Sequence, residues 1–167
     1  MRALVTRSPG GWPNTTFEDV DLRQGQPGQV LVKMHAGGLN PADNFQIDGQ
    51  YPGGPKPPFI VGRDACGVVV QGDHKGPWQP GDAVLVLQSS TTDLEHGTLC
   101  EQQWVSAENL ARQPTGWSNA EAAAAPLVFQ TAWKAIKGVG GLQPGQIVAV
   151  TGASGGVGLA AVQLAEA

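Results

Sequence analysis

Residues 147–164 read Ile-Val-Ala-Val-Thr-Gly-Ala-Ser-Gly-Gly-Val-Gly-Leu-Ala-Ala-Val-Gln-Leu, and they are the most informative part of the sequence about the fold. The valine-rich run Gln146–Thr151 is typical of a strand that is covered on both faces. Beyond the glycines, Val157, Ala161 and Leu164 recur at helical spacing and predict one apolar stripe. The stretch therefore predicts a buried strand, a glycine turn and the start of a helix.

The glycines fit the turn that binds a dinucleotide. Gly155 and Gly158 match its second and third glycines, and Ala153 stands where the first would be. A side chain at Gly155 would block the approach of a pyrophosphate to the backbone, and one at Gly158 would hold the helix away from the strand. Because no Lys or Arg follows Lys137, backbone amides at the helix start would have to bind the phosphates. The candidate phosphate-binding residues are Ala153, Ser154, Gly155, Gly156, Val157 and Gly158.

Other readings of the turn stay open at this point. A glycine turn without a ligand is one of them. A P-loop is excluded, because no Lys-Ser or Lys-Thr pair follows the glycines. The run Gly152–Gly156 also matches the G-x-S-x-G nucleophile elbow of serine hydrolases, with Ser154 as nucleophile. That motif needs an acidic residue and then a histidine downstream, and only Glu166 follows here.

Composition limits the function classes. The chain has 167 residues, 41% of them hydrophobic, with 24 glycines and 13 prolines, which favours many short strands and turns. A net charge of −4 argues against a nucleic-acid surface. The N-terminus has no long apolar segment, and Cys66 and Cys100 provide no disulfide framework. We expect a cytoplasmic protein that neither enters a membrane nor binds nucleic acid.

The first two thirds of the chain alternate between short apolar runs and turns. In the clearest run, Val30, Val32 and Met34 should share one face of a strand. Asn40, Pro41 and Asp43 suit the N-cap, first position and first turn of a short helix. We expect strands over Arg2–Thr6, Phe17–Leu22, Gln29–Ala36, Ala83–Leu87 and Thr98–Val105, and a polar loop over Thr91–Gly97. A bent strand is expected over Phe59–Gly72, with glycines where the backbone passes closely.

The last third is helical and rich in alanine. Ser118 and Glu121 form a capping box at the start of a helix. Pro126 should interrupt that helix, and a second helical stretch should run over Leu127–Lys137. Composition therefore divides the chain into residues 1–117, resembling a small barrel, and residues 118–167. Because Ala167 lies within the helix after the glycine turn, we expect the chain to be part of a larger polypeptide or assembly.

The order of motifs resembles the medium-chain dehydrogenase/reductase superfamily, in particular its zinc-free quinone oxidoreductase branch. The matching segments are Gly38–Asp43, Gly49–Pro52, Pro58–Val69, Pro80–Val84, Ala122–Pro126, Thr131–Trp133, Gly152–Gly158 and Gln163–Ala165. The resemblance implies a mixed fold: a GroES-like β-barrel domain over residues 1–117, then the first βα unit of a doubly wound Rossmann domain over residues 118–167. It also implies a homodimer for the full-length form.

The resemblance bears on metal binding. Zinc alcohol dehydrogenases of the same superfamily place a cysteine where Asn40 stands and a histidine where Arg63 stands. An amide is a poor zinc ligand and a guanidinium opposes the metal's charge. The structural zinc lobe of those enzymes has four close cysteines, whereas only Cys100 lies between Val86 and Trp104. We therefore expect no metal.

The chemistry that the resemblance implies is hydride transfer from NADPH, with NADH possible, to a quinone or an α,β-unsaturated carbonyl. Hydrogen-bond donors must then stabilise the developing oxyanion. Asn40 and Tyr51 take the positions of polar groups beside the nicotinamide in relatives, and Thr131 takes one at the nicotinamide end. Each residue also has a purely structural interpretation: Asn40 as a helix cap, Tyr51 as a loop anchor and Thr131 as a helix-interior hydroxyl.

Asp43 is expected to be a helix-start charge, with a catalytic acid as the alternative. Arg63 and Asp64 are expected to form a structural ion pair. Two other functions remain: a non-catalytic barrel module or partner subunit, and a variant of a zinc alcohol dehydrogenase. The residue that selects NAD or NADP would lie about 20 residues beyond the glycine turn, past Ala167.

Overall fold

A computed structural model of the protein describes residues 1–72, 76–87 and 97–167. Within these ranges the strands form two antiparallel sheets. The strands are β1 Arg2–Thr6, β2 Thr15–Asp19, β3 Gln29–Gly38, β4 Phe59–Ile60, β5 Asp64–Gln71, β6 Ala83–Leu87, β7 Gln102–Ser106 and β8 Leu110–Arg112. One sheet has the order β2-β1-β4 and the other β7-β3-β5-β6-β8. The helices are α1 Pro41–Ile47, α2 Asn119–Ala124, α3 Pro126–Gly138 and α4 Gly156–Glu166. None of them has the length and hydropathy needed to cross a bilayer, for the ranges described.

The main core lies against the five-stranded sheet, where alternation along β3 decides the buried face. Val30 and Val32 are fully buried, and Met34 packs against the same cluster. This confirms the predicted shared face. The intervening Leu31 is also nearly buried, so β3 is covered on both sides near its start.

The predicted strand Phe59–Gly72 is two strands in different sheets. β4 pairs with β1, whereas β5 pairs with β3 and β6. The chain turns between them at Gly62, whose φ of +108° suits only glycine. A Cβ at Gly62 would lie 2.6 Å from Leu99 Cγ. Apolar residues flank Gly62, Arg63 and Asp64 on both sides, so the sequence alone did not show the change of sheet.

Several predicted boundaries are also wrong by a few residues. β2 begins at Thr15 rather than Phe17, and β7 begins at Gln102 rather than Thr98. In the first part of the predicted strand Thr98–Val105, Cys100 makes an isolated β-bridge to Ala3. Strand β8, Leu110–Arg112, was not predicted. The predicted polar loop Thr91–Gly97 lies outside the described residues except for Gly97.

The alanine-rich helix α2 packs on the five-stranded sheet. Its capping box forms as predicted, with the Ser118 side chain accepting from the Glu121 N–H. Ala122 and Ala123 are buried against Cys66 and Leu85. A Cβ at Gly38 would lie 2.5 Å from the Ala123 carbonyl oxygen, so small residues on both sides permit this close approach. The helix ends before Pro126, where α3 begins.

The predicted strand Gln146–Thr151 does not form. The segment has no assigned secondary structure, and Ile147 is 99% exposed. A strand needs a neighbouring strand to satisfy its backbone groups, and none pairs with this segment among the described residues. The predicted apolar stripe of α4 is likewise not its buried face. Val157 is 40% exposed, whereas Gly158 and Ala160 are buried.

Candidate active site

The start of α1 carries the first predicted site residue. Asn40 is the extended N-cap, Pro41 the first helical residue, and the Asp43 carboxylate accepts from the Asn40 N–H at 2.7 Å. Asp43 is 1% exposed, while Asn40 is half-buried. This geometry makes Asp43 a capping residue of α1 and leaves the Asn40 side chain half-buried, while a catalytic role for Asp43 stays a prediction.

The Asn40 amide is held by Asp64, the first residue of β5. Asn40 Nδ2 donates to Asp64 Oδ2 at 3.0 Å. The second carboxylate oxygen, Oδ1, accepts from the Leu127 N–H at 3.0 Å. Leu127 lies in the first turn of α3, where a backbone N–H has no helical acceptor. Asp64 therefore joins the start of α1 to the start of α3.

Tyr51 meets Arg63 rather than a neighbour in its own loop. Arg63 Nη1 donates to the Tyr51 hydroxyl oxygen at 2.7 Å, and the guanidinium carbon lies 5.2 Å from the ring centroid. Because a guanidinium only donates, the phenol oxygen is the acceptor, and the phenol's own proton points elsewhere. Tyr51 is half-buried, and its hydroxyl can still donate one hydrogen bond.

The expected ion pair between Arg63 and Asp64 is wrong. No ion pair joins these two described residues, whereas ion pairs do form between Arg7 and Glu18 and between Arg112 and Asp82. Successive residues point to different partners at the entry to β5, so Arg63 contacts Tyr51 while Asp64 contacts Asn40. Arg63 and Asp64 are charged residues between apolar residues from Phe59 to Val70, and this pattern could have indicated a buried polar cluster.

Burial dominates the electrostatics of this cluster. Desolvation raises the pKa of Asp64 from 3.8 to about 6, and the hydrogen bonds from Asn40 and Leu127 offset part of that rise. The nearby Asp43 also raises the pKa of Asp64, whereas Arg63 lowers it. Burial raises the pKa of Asp43 as well, against the opposing hydrogen bond from Asn40.

Three buried polar atoms of the cluster have no hydrogen-bond partner within the described residues: Asp43 Oδ1, Gln46 Nε2 and Arg63 Nε. Buried polar atoms without partners are uncommon in folded proteins, so each of them calls for a structural or functional explanation. Asp43 and Arg63 act electrostatically on Asp64, so the polar group around Asp64 keeps hydrogen-bonding capacity that the described residues do not use.

Helix α3 connects this cluster to the glycine turn. Thr131 lies one turn beyond Leu127, and its hydroxyl donates to the Leu127 carbonyl oxygen at 2.7 Å. That bond is the one expected of a helix-interior hydroxyl. Thr131 is exposed, so a lone pair of its oxygen remains open to solvent. The next residue after Leu127, Val128, faces the turn: a Cβ at Gly156 would lie 2.9 Å from Val128 Cγ1.

The glycine turn has the packing that the sequence predicts at Gly158. A Cβ there would lie 2.2 Å from the Gly152 carbonyl oxygen. The left-handed backbone conformation of the turn lies at Gly152, whose φ is +65°. It does not lie at Ala153, the residue that the sequence aligns with the first glycine of the motif. At Gly155 a Cβ would meet only the Gly152 oxygen at 3.5 Å, so open space lies in front of it.

The residues of the turn fit a bound diphosphate. Gly155 is the N-cap of α4, and Gly156, Val157 and Gly158 form its first turn. The first amides of a helix have no intrahelical acceptor and favour anions. Ala153, Ser154, Gly155, Gly156 and Val157 are all exposed. The turn thus offers open backbone donors together with a helix dipole.

Comparison with known proteins supports the resemblance. A family model described as the alcohol dehydrogenase GroES-like domain matches residues 26–137. A synaptic vesicle membrane protein VAT-1 homolog from Danio rerio is 36% identical over 168 residues, covering 98% of this chain and 33% of that protein.

Two solved structures match almost the whole chain. An alcohol dehydrogenase superfamily protein from Novosphingobium aromaticivorans has a TM-score of 0.90 at 34% identity, covering 99% of this chain and 50% of that one. The quinone oxidoreductase from Thermus thermophilus, also solved as a complex with NADPH, has a TM-score of 0.81 at 34% identity with the same coverage. The chain thus spans about half the length of these structures. The predicted fold class, a GroES-like domain followed by the start of a Rossmann domain, is confirmed.

Proposed function

This chain belongs to the medium-chain dehydrogenase/reductase superfamily through its alcohol dehydrogenase GroES-like domain, and we propose a function for the native polypeptide that carries it. That polypeptide transfers hydride from NADPH, or from NADH, to quinones or α,β-unsaturated carbonyls without zinc. The observation that supports this most is the pair of half-buried polar side chains, Asn40 and Tyr51, which are held by two adjacent buried charged residues at the entry to β5, Asp64 and Arg63.

In this proposal Asn40 and Tyr51 stabilise the oxygen that gains negative charge. Asn40 Nδ2 has two N–H groups, and one is used on Asp64. The other is the donor for the substrate oxygen. Tyr51 donates its hydroxyl proton, while Arg63 compensates charge on the phenol oxygen. Donors fixed before the reaction begins are the ones that lower its barrier most.

The same geometry supports a reaction without zinc. The Asn40 amide nitrogen donates to Asp64, and the Arg63 guanidinium donates to Tyr51. Both groups only donate through these atoms, whereas a metal needs lone pairs. Hydride acceptance at the substrate then relies on hydrogen bonds rather than on a Lewis acid.

The cofactor would be bound by backbone at Ala153–Gly158, and Thr131 would lie near its nicotinamide end. When bound, the nicotinamide supplies the hydride. Helix α4 would offer its N-terminal amides to the diphosphate. Thr131 lies one helical turn beyond Leu127, whose N–H donates to Asp64. A match to the family favours this role over the serine hydrolase reading of Ser154. Association as a homodimer and a cytoplasmic location also remain proposals.

A turnover assay tests the proposed function. The native polypeptide is treated with EDTA, its zinc content is measured, and oxidation of NADPH and of NADH is followed at 340 nm with 1,4-benzoquinone and with an enone. We expect turnover that survives metal removal. Loss of turnover with zinc removal, restored by added zinc, would show a zinc alcohol dehydrogenase variant. No turnover with either cofactor would indicate a non-catalytic module.

A further inference from the structure

Among the described residues, Asp64 is the carboxylate that touches both halves of the site. Its Oδ2 accepts from Asn40 Nδ2 and its Oδ1 from the Leu127 N–H, each at 3.0 Å. The side chain is 1% exposed, so water does not compete for these bonds. Each oxygen therefore serves a different element, α1 on the substrate side and α3 on the cofactor side.

The bond to Asn40 fixes which way the amide points. An ionised carboxylate only accepts, so the amide nitrogen must face Asp64 and the amide oxygen must face away. The remaining Nδ2–H is then held in one direction. Without Asp64, the amide could rotate by half a turn and present its oxygen, an acceptor, to a substrate oxygen.

The bond to Leu127 fixes the position of α3. Leu127 accepts the Thr131 hydroxyl on its carbonyl, and its neighbour Val128 lies against Gly156 of the glycine turn. A shift of the α3 start would therefore move Thr131 and the turn together. The carboxylate couples the donor that meets the substrate to the helix that borders the cofactor.

We propose that Asp64 is a positioning residue that fixes the orientation of the Asn40 amide and, through Leu127, the distance between the substrate side and the cofactor side of the site. The proposal rests on the proposed function. Asp64 does not touch the substrate. Its contribution is to reduce the number of unproductive arrangements, and misplacement of reacting groups by about 1 Å can cost about a hundredfold in rate.

The informative substitution is Asp64→Asn, which keeps the shape but has only one acceptor oxygen. Either Leu127 N–H or Asn40 Nδ2 must then lose its partner. The variant removes a buried charge and adds no volume, so the fold should persist. Thr98→Val is the matched control: the Thr98 hydroxyl donates to the Asp64 backbone carbonyl at 3.0 Å and is equally buried, but it does not touch the carboxylate.

The first arm uses NMR of the ¹⁵N-labelled native polypeptide and needs no activity. In Asp64→Asn, the proton resonance of the Leu127 amide or of the Asn40 side-chain amide should move upfield, as for a donor without an acceptor. Thr98→Val should leave both in place. If neither resonance moves in Asp64→Asn, the double hydrogen bond is absent and the proposal is overturned.

The second arm is kinetic. For Asp64→Asn we expect kcat to fall by about ten- to hundredfold while the Kd for NADPH changes by less than about threefold. Thr98→Val should keep both constants near wild type. An unchanged kcat in an active Asp64→Asn enzyme contradicts the positioning role. If the wild type itself turns over no quinone or enone, the proposed function fails, and the NMR arm alone still decides whether Asp64 holds the two elements together.

Discussion

At the scale of single residues, the site depends on side chains that are held by partners far away in sequence. Tyr51 is oriented by Arg63, and Asn40 by Asp64. The sequence placed Asn40 and Asp43 correctly at the start of a helix, because capping is a local interaction. The predicted ion pair between Arg63 and Asp64 was wrong, because adjacent residues that enter a strand point in opposite directions.

Tyr51→Phe should remove the proton donor while keeping the ring beside Arg63. We expect kcat to fall by about a hundredfold or more, as for loss of a general acid, with the Kd for NADPH nearly unchanged. Steady-state kinetics with 1,4-benzoquinone and a fluorescence titration provide the two constants. A kcat within about twofold of wild type would leave Tyr51 only its structural role as a loop anchor.

Asp64 should make stability depend on pH in a defined direction. Its pKa is about 6 in the folded chain against 3.8 ordinarily, so between about pH 4 and pH 6 the folded state keeps a proton that the unfolded state releases. The contribution of Asp64 to the free energy of unfolding therefore falls as pH rises through this window, by about 3 kcal/mol at most. Urea unfolding of wild type and Asp64→Asn at pH 4, 5, 6 and 7 measures the difference.

Asp82→Asn is the control for that experiment, because its effect has the opposite sign. The backbone N–H of Gln79 holds the pKa of Asp82 below its ordinary value. Its contribution is present above that ordinary value and is lost as pH falls through the folded pKa. Parallel pH profiles for the two variants would contradict the assignment of the raised pKa to Asp64.

At the scale of elements, the glycine turn and α3 form the proposed cofactor side. Here the sequence predicted the packing at Gly158 correctly, since the close approach of the helix to the preceding residues is a local property of the turn. It did not predict that Gly156 abuts Val128 of α3, which depends on how two separate helices pack.

Gly158→Ala should destabilise the turn, because the new Cβ would lie 2.2 Å from the Gly152 carbonyl oxygen. That atom is backbone and has little freedom to move, so we expect a loss of about 1–3 kcal/mol in the free energy of unfolding. Gly138→Ala, at the last residue of α3 with nothing within 4 Å of its Cβ, is the control and should be neutral or slightly stabilising. Thermal unfolding of both variants measures the contrast. Equal losses would show that the turn is not closely packed.

At the scale of the whole molecule, what the sequence missed was long-range pairing. Strands β1 and β6 were predicted with their correct bounds. The run Phe59–Gly72 was predicted as one strand but enters two sheets, and Gln146–Thr151 forms no strand, because both outcomes depend on distant partners. The valine-rich pattern of Gln146–Thr151 is typical of a strand that is covered on both faces, yet Ile147 is exposed.

The resemblance to a family supplied what local patterns could not. Its fold is confirmed by the match to residues 26–137 and by the solved structures. The division of the chain at residue 117 stays a prediction, and α2, which follows that boundary, packs on the five-stranded sheet. The cofactor, the substrate and a reaction without zinc stay proposals, since this chain spans about half of the matched structures.

The most direct test is a fluorescence titration of the native polypeptide with NADPH and with NADH, repeated on Gly155→Val. The wild type should show saturable binding. The Gly155→Val substitution fills the open space in front of the α4 amides, so it should weaken binding by at least about tenfold while thermal unfolding stays near that of the wild type. Absence of binding of either nucleotide to the wild type, or equal affinity in both proteins, would contradict a dinucleotide site at this turn.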